Sequence, residues 1–187
     1  MGSQIQSSPS IGADGTIYFG SDAGLVYAVS SLGEVVWKYQ TRGAVHATPA
    51  LSEKDMLFFG SWDKNFYALQ ASTGTLLWSF KVGDIIISSA VIDSSNTVYF
   101  GAGSNVYALL DSGDLKWKAT VRGITAISPA LSLDGVLFLT NSASSLPFNS
   151  LLSFYASDGS KYIDASFFTG EPVVYSPPLV SKLFIEI

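Results

Sequence analysis

Residues 7–43 read SSPSIGADGTIYFGSDAGLVYAVSSLGEVVWKYQTRG. Four short strand patterns lie in this stretch, over 9–11, 16–20, 25–29 and 35–40, rich in β-branched and aromatic residues. The segments Ala13-Asp14-Gly15, Asp22-Ala23-Gly24 and Leu32-Gly33-Glu34 separate them, and Gly and Asp there supply the positive-φ positions that tight hairpins need. Four antiparallel strands in about 40 residues predict one blade of a β-propeller.

The unit recurs. Pro9, Pro49 and Pro129 stand at multiples of 40 residues, with Ser89 in the intervening slot. Tyr27, Tyr67 and Tyr107 keep the same period, each followed by Ala, and Trp37, Trp78 and Trp117 recur at nearly that interval. A self-similar period of this length must be read before any local motif. The second copy (48–80) matches closely, and the third (88–119) has one residue more in its first turn and one fewer in its second. Length changes confined to turns are expected where strands carry the packing. The fourth copy opens with SPALSLDGVLFLT (128–140) and takes eight extra residues between Thr140 and Tyr155; Tyr162 or Ile163 falls where its closing Trp would stand. A fifth opens at Ser176-Pro177-Pro178. The expected organisation is a single all-β propeller domain with blades over 7–46, 47–86, 87–126 and 127–175, a partial fifth over 176–187, and a loop at 141–150. Each blade needs a neighbour to cover its face, so the partial fifth unit points to an arc from a propeller of six to eight blades.

Composition removes several classes of function. A net charge of −5 with few Lys and Arg argues against a nucleic-acid groove. There is no cysteine, hence no disulfide and no thiolate metal site. No run of 18 apolar residues predicts a membrane-spanning helix, and residues 1–8 carry no apolar core like that of a signal peptide. The compartment stays open: cytosolic, or periplasmic or extracellular if the chain is an internal piece of an exported protein.

Each of Trp37, Trp78 and Trp117 follows a turn glycine (Gly33, Gly74, Gly113) by four residues, which puts it at the start of the outer strand facing the next blade. A repeated interface suits an indole, which buries a large apolar area and needs one partner for its N–H. At Ala68-Leu69-Gln70-Ala71-Ser72-Thr73-Gly74-Thr75-Leu76-Leu77-Trp78 the sequence resembles the tryptophan-docking motif of the pyrroloquinoline-quinone (PQQ) type repeat, with Gln70 where Asp is usual. The hairpins GTIYFGSDAGLVYAV (15–29) and MLFFGSWDKNFYAL (56–69) are similar to that family's Gly-Ser-x-Asp-Gly-x-x-Tyr-Ala-Leu hairpin. The resemblance covers about residues 7–180 and implies propeller blades. It implies two kinds of function: quinoprotein dehydrogenases holding PQQ and calcium on the axis, and cofactor-free scaffolds that bind proteins or ligands.

Alternating strand direction places the second-to-third-strand turns and the blade-to-blade connections on one face. That face gathers Asp22, Arg42, His46, Trp62, Asp63, Lys64, Asp84 and Arg122, while the other collects acidic turns. Trp62 has no counterpart in the repeat, and a turn Trp beside Asp63 and Lys64 suits a partner anchor. Arg42 and Arg122 hold matching slots before successive inner strands, where a ring of guanidinium groups would suit an anion or a quinone carboxylate. His46, the sole histidine, would need a nucleophile and an orienting carboxylate to act as a base. No catalytic or metal set is legible. The expectation is a non-catalytic scaffold contacting a protein or small ligand through Trp62, Asp63, Arg42, His46 and Arg122, with no cofactor. The alternative is a fragment of a PQQ- and calcium-dependent dehydrogenase.

Overall fold

The computed structural model describes residues 3–121, 123, 125, 128–141 and 150–162. Fifteen strands are described: β1 (Ser10–Ile11), β2 (Ile17–Gly20), β3 (Leu25–Val29), β4 (Val35–Gln40), β5 (Ala50–Leu51), β6 (Met56–Gly60), β7 (Asn65–Gln70), β8 (Leu76–Lys81), β9 (Val91–Ile92), β10 (Val98–Ala102), β11 (Asn105–Leu109), β12 (Leu115–Thr120), β13 (Ala130–Leu131), β14 (Val136–Asn141) and β15 (Ser150–Tyr155). They form four antiparallel meanders, β1 to β4, β5 to β8, β9 to β12 and β13 to β15, each a blade of a β-propeller. The fourth sheet has three strands, and the bridge Phe154↔Lys161 stands where its outer strand would begin. Most of the expected 141–150 loop, the end of the fourth unit and the whole partial fifth lie outside the described residues.

Blades stack face to face. Tyr18, Val26 and Ala28 of the first pack on Leu57, Phe59, Tyr67 and Leu69 of the second. The same positions repeat as Phe58, Phe66 and Ala68 against Val98, Phe100, Tyr107 and Leu109, then as Tyr99, Val106 and Ala108 against Leu137, Leu139 and Phe154. Period-2 strands buried on both sides explain the dense apolar runs.

The tryptophans lock these faces. Each indole is the third residue of its outer strand, and β4 covers the 35–40 stretch read from the sequence. Trp37 Nε1 donates to Ala71 O at 2.7 Å, Trp78 Nε1 to Asp111 O at 2.7 Å, and Trp117 Nε1 to Ala156 O at 3.0 Å, each acceptor lying on the following blade. Each ring rests on a turn glycine of that blade: a Cβ on Gly74, Gly113 or Gly159 would stand 2.6, 2.8 or 2.6 Å from the indole. The Tyr-Ala pair also gains a reason, since Ala28, Ala68 and Ala108 lie directly across from Trp37, Trp78 and Trp117. A small cross-strand neighbour leaves the indole free to lean onto the next blade.

Near the inner strands, Thr48 N–H donates to Ser89 Oγ and Ser89 N–H to Ser128 Oγ, both at 2.9 Å. Ser89 thus uses an amide proton that the Pro of the other copies lacks.

Trp78→Ala is expected to cost about 3–5 kcal/mol, the range for emptying a large aromatic site, read as a shift in urea midpoint. Gly113→Ala, at φ 90° and facing the Trp78 ring, should destabilise without removing any contact.

Candidate binding face

The turns β2–β3 and β6–β7 and the connection from β4 to β5 meet on one side of the first two blades. The connection is stitched to the hairpins in a repeated way: Asp22 N–H donates to Gln4 O and Trp62 N–H to Ala44 O, both at 2.9 Å. Trp62 therefore occupies in the second blade the slot that Asp22 holds in the first. Gly43 is needed where the connection crosses this turn, because a Cβ there would collide with the backbone of Asp63 and Trp62.

Three of the expected residues come together. The Trp62 and His46 rings lie 4.5 Å apart, tilted by 56°. His46 Nε2 sits 2.8 Å from Asp22 Oδ1, and Asp22 Oδ2 accepts from Gln6 Nε2 at 3.2 Å. Asp22 Oδ1 is shielded from solvent and lacks any other donor among the described residues. The contact is satisfied only with a proton on His46 Nε2, which fixes the imidazole as a donor to the carboxylate. His46 is thereby a brace between the first blade and Trp62, with Nε2 unable to serve as a base while Asp22 holds it.

Asp63 is the second anchor. Its Oδ2 accepts from Arg42 N–H at 3.0 Å and Tyr67 Oη at 2.7 Å, and its Oδ1 from Asn65 N–H at 3.0 Å and Asn65 Nδ2 at 3.1 Å. Burial alone would push this carboxyl up, but the donors outweigh it and hold Asp63 below the usual carboxylate range. Tyr67 moves the opposite way: burial and the Asp63 carboxylate push its phenol well up. Arg42 meets Asp63 through its backbone amide, while its side chain and those of Lys64 and Lys81 stay exposed. Arg122 lies outside the described residues. Trp62 keeps 40% of its surface in solvent despite being pinned from below by His46 and along the backbone by Ala44. An exposed yet immobilised indole can dock an apolar or aromatic group with little entropic loss.

On the opposite face the acidic turns serve themselves. Asp14 accepts from Thr16 and Asp158 from Ser160; Asp55 binds Ser72 N–H, Ser72 Oγ and Gln70 Nε2. Hydrogen bonds from Ser72, more than any other contact, hold Asp55 below the usual range. Among the described residues no group of three or more His, Asp or Glu is placed to hold a metal ion. A cleft of about 780 Å³, not foreseen from the sequence, opens on this side between inner strands, over Leu51, Val91, Ile92 and Leu131, with Lys116 at its wall. Two of its polar side chains are already engaged, Asp93 by Ser95, Thr97 and Tyr99, and Lys116, whose Nζ donates to Ala156 O at 3.4 Å. The Trp62 face is the better candidate. The cleft's one signal in the sequence is the apolar residue recurring as Leu51, Ile92 and Leu131.

The four-stranded blades and the Trp-on-Gly lock between them define a propeller of the PQQ-like repeat class. Within that class, the chain belongs to the family described as outer membrane protein assembly factor BamB, whose model matches residues 1–166. It is 32% identical over 123 residues to the tetrathionate hydrolase of Acidithiobacillus ferrooxidans, covering 61% of this chain and 24% of that protein. To the mouse beta-alanine-activating enzyme it is 28% identical over 103 residues, 52% of this chain and 9% of the relative. The chain thus spans a quarter or less of the length of these curated relatives. Among solved structures, the quinohemoprotein alcohol dehydrogenase of Comamonas testosteroni superposes with a TM-score of 0.77 at 15% identity, over 90% of this chain and 36% of that one. BamB of Moraxella catarrhalis gives 0.66 at 14% identity, over 88% and 66%. At such identities the superpositions establish the fold.

His46→Ala should cost about 1–3 kcal/mol by stranding Asp22 Oδ1 without a donor, and the double variant with Asp22→Asn should recover part of it in chemical denaturation. Because the folded-state Asp63 carboxyl lies below its unfolded value, its contribution is present above about pH 4 and is lost as pH falls through the folded value. Tyr67→Phe should therefore shrink the loss of urea midpoint between neutral and acid pH.

Proposed function

We propose that this propeller is a non-catalytic scaffold that binds a protein partner through the face centred on Trp62, with Arg42 and Lys64 at its rim. The observation that carries the reading is the placement of Trp62: the second blade sets an exposed indole where the first has Asp22, and braces it with His46 and the Ala44 carbonyl. Holding a large apolar group in water at a turn contributes nothing to the blade's own packing, whereas interfaces concentrate Trp and Arg at their anchors. Membership of the BamB-described family supports a scaffold.

Under the quinoprotein alternative this face would have to offer ligands for PQQ and calcium. The engagement of two of its carboxylates supports the scaffold reading instead: Asp63 accepts from Arg42, Tyr67 and Asn65, and Asp22 faces His46 and Gln6.

A photo-crosslinking residue at position 64 should capture a protein partner, and Trp62→Ala should lower the affinity at least about 30-fold, the cost of losing a 2 kcal/mol hot spot, with the urea midpoint unchanged. Equal capture by Trp62→Ala would remove the assignment. Saturable binding of PQQ with calcium, followed by absorbance, would favour the enzyme reading instead.

A further inference from the structure

The turn that carries Trp62 holds a second departure from the repeat. In the first blade it reads Asp22-Ala23-Gly24, in the second Trp62-Asp63-Lys64. The two turns fold alike: Gly24 N–H donates to Ser21 O at 3.0 Å and Lys64 N–H to Ser61 O at 3.2 Å. Both last residues are left-handed, with φ of 76° at Gly24 and 74° at Lys64. Glycine adopts that region freely, whereas a lysine there is strained by its own Cβ. The other non-glycine residues at positive φ among those described are Asp55 and Asn96, the types that tolerate it best.

The lysine side chain gives the fold nothing that offsets this strain. It is exposed, and among the described residues its ammonium makes no hydrogen bond and no ion pair. The neighbouring carboxylate, Asp63, already accepts from Arg42 N–H, Tyr67 Oη and Asn65. Lys54, by contrast, pairs with Asp111 at 2.8 Å. A strained residue whose side chain holds nothing inside the molecule points to a functional role. Two residues away stands Trp62, exposed and braced by His46. One turn thus carries both an exposed indole and an unpaired ammonium.

We propose that this turn recognises a protein segment in which an acidic side chain adjoins an apolar or aromatic one. The apolar group lies on the Trp62 indole and the carboxylate pairs with the Lys64 ammonium. Water displaced from the indole leaves that ion pair in a lower dielectric than an isolated surface pair has. The indole supplies contact area and the ammonium supplies choice of partner, because a segment with Lys or Arg at the acidic position meets a like charge. The proposal rests on the reading of Trp62 as a protein-binding anchor and adds to it the charge of the partner.

Dodecapeptides displayed on phage are selected on the full chain at low ionic strength, where surface pairing is strongest. Peptides that bind the parent but not Trp62→Ala should carry Asp or Glu beside Trp, Phe or Leu. One of them, labelled for fluorescence anisotropy, should bind Lys64→Gly and Lys64→Gln about fivefold more weakly, the upper range for an exposed ion pair. The difference should close at about 1 M salt. Lys64→Gly removes the strain together with the charge, so its Tm should match or exceed that of the parent. A fall in Tm would give the lysine a structural role and overturn the proposal. Trp62-dependent peptides without an acidic residue, or equal affinities for the parent and both variants, also overturn it and leave the Trp62 reading standing. If no peptide separates Trp62→Ala from the parent, both are overturned.

Discussion

The indole of one blade lying on a glycine of the next is the interaction on which the rest depends. It does three things at once. The ring covers the β-turn and closes the outer edge of the interface, its N–H satisfies a carbonyl that the turn leaves unpaired, and the missing Cβ of the glycine sets how close the blades approach. A larger residue at the glycine would push the blades apart, and a ring without a donor would leave the carbonyl orphaned. The two positions are therefore coupled across blades rather than within one. This is why the repeat holds both glycine and tryptophan while the residues between them drift.

From this lock follows the geometry of the candidate face. Once successive blades are held at fixed separation, the connection leaving one blade must cross the hairpin of the next, and Gly43 is the narrow point of that crossing. Asp63 and Asp22 then act as fasteners. One gathers the Arg42 amide, the Tyr67 hydroxyl and Asn65; the other joins Gln6 and His46. Charges that look available as ligands in the sequence are consumed in holding the backbone. What remains exposed is the indole of Trp62 and the cationic tips of Arg42 and Lys64, which sets the chemistry that face can recognise.

The architecture was legible because its signals are local and periodic: strand composition, turn glycines and a spacing near 40 residues. Three tryptophans could be assigned to blade contacts for the same reason. The candidate face was only partly legible. Alternating strand direction placed Trp62, His46 and Asp22 on one side, but the His46–Asp22 pair joins two separate turns and depends on which way their side chains point. That Asp63 would take the Arg42 backbone amide rather than leave its carboxylate free depends on the crossing at Gly43, which no spacing encodes. The cleft over Leu51, Val91 and Leu131 arises from three inner strands of separate blades, so no single stretch of chain contains it.

Two substitutions against the repeat carry most of what is individual to this chain, and they act in opposite directions. Ser89 in place of proline brings a hydroxyl that accepts from Thr48 N–H and an amide proton that it donates to Ser128 Oγ, linking three successive blades. It tightens the scaffold. Trp62 in the slot of Asp22 exposes a large apolar ring and adds little to blade packing, yet the chain supports it with its only histidine. A side chain retained for stability alone would be turned inward, as the other three tryptophans are. Bracing an outward one makes sense where rigidity lowers the cost of an encounter with something else, and that difference, between rings that build the propeller and a ring held out from it, is what the proposed binding role of Trp62 rests on.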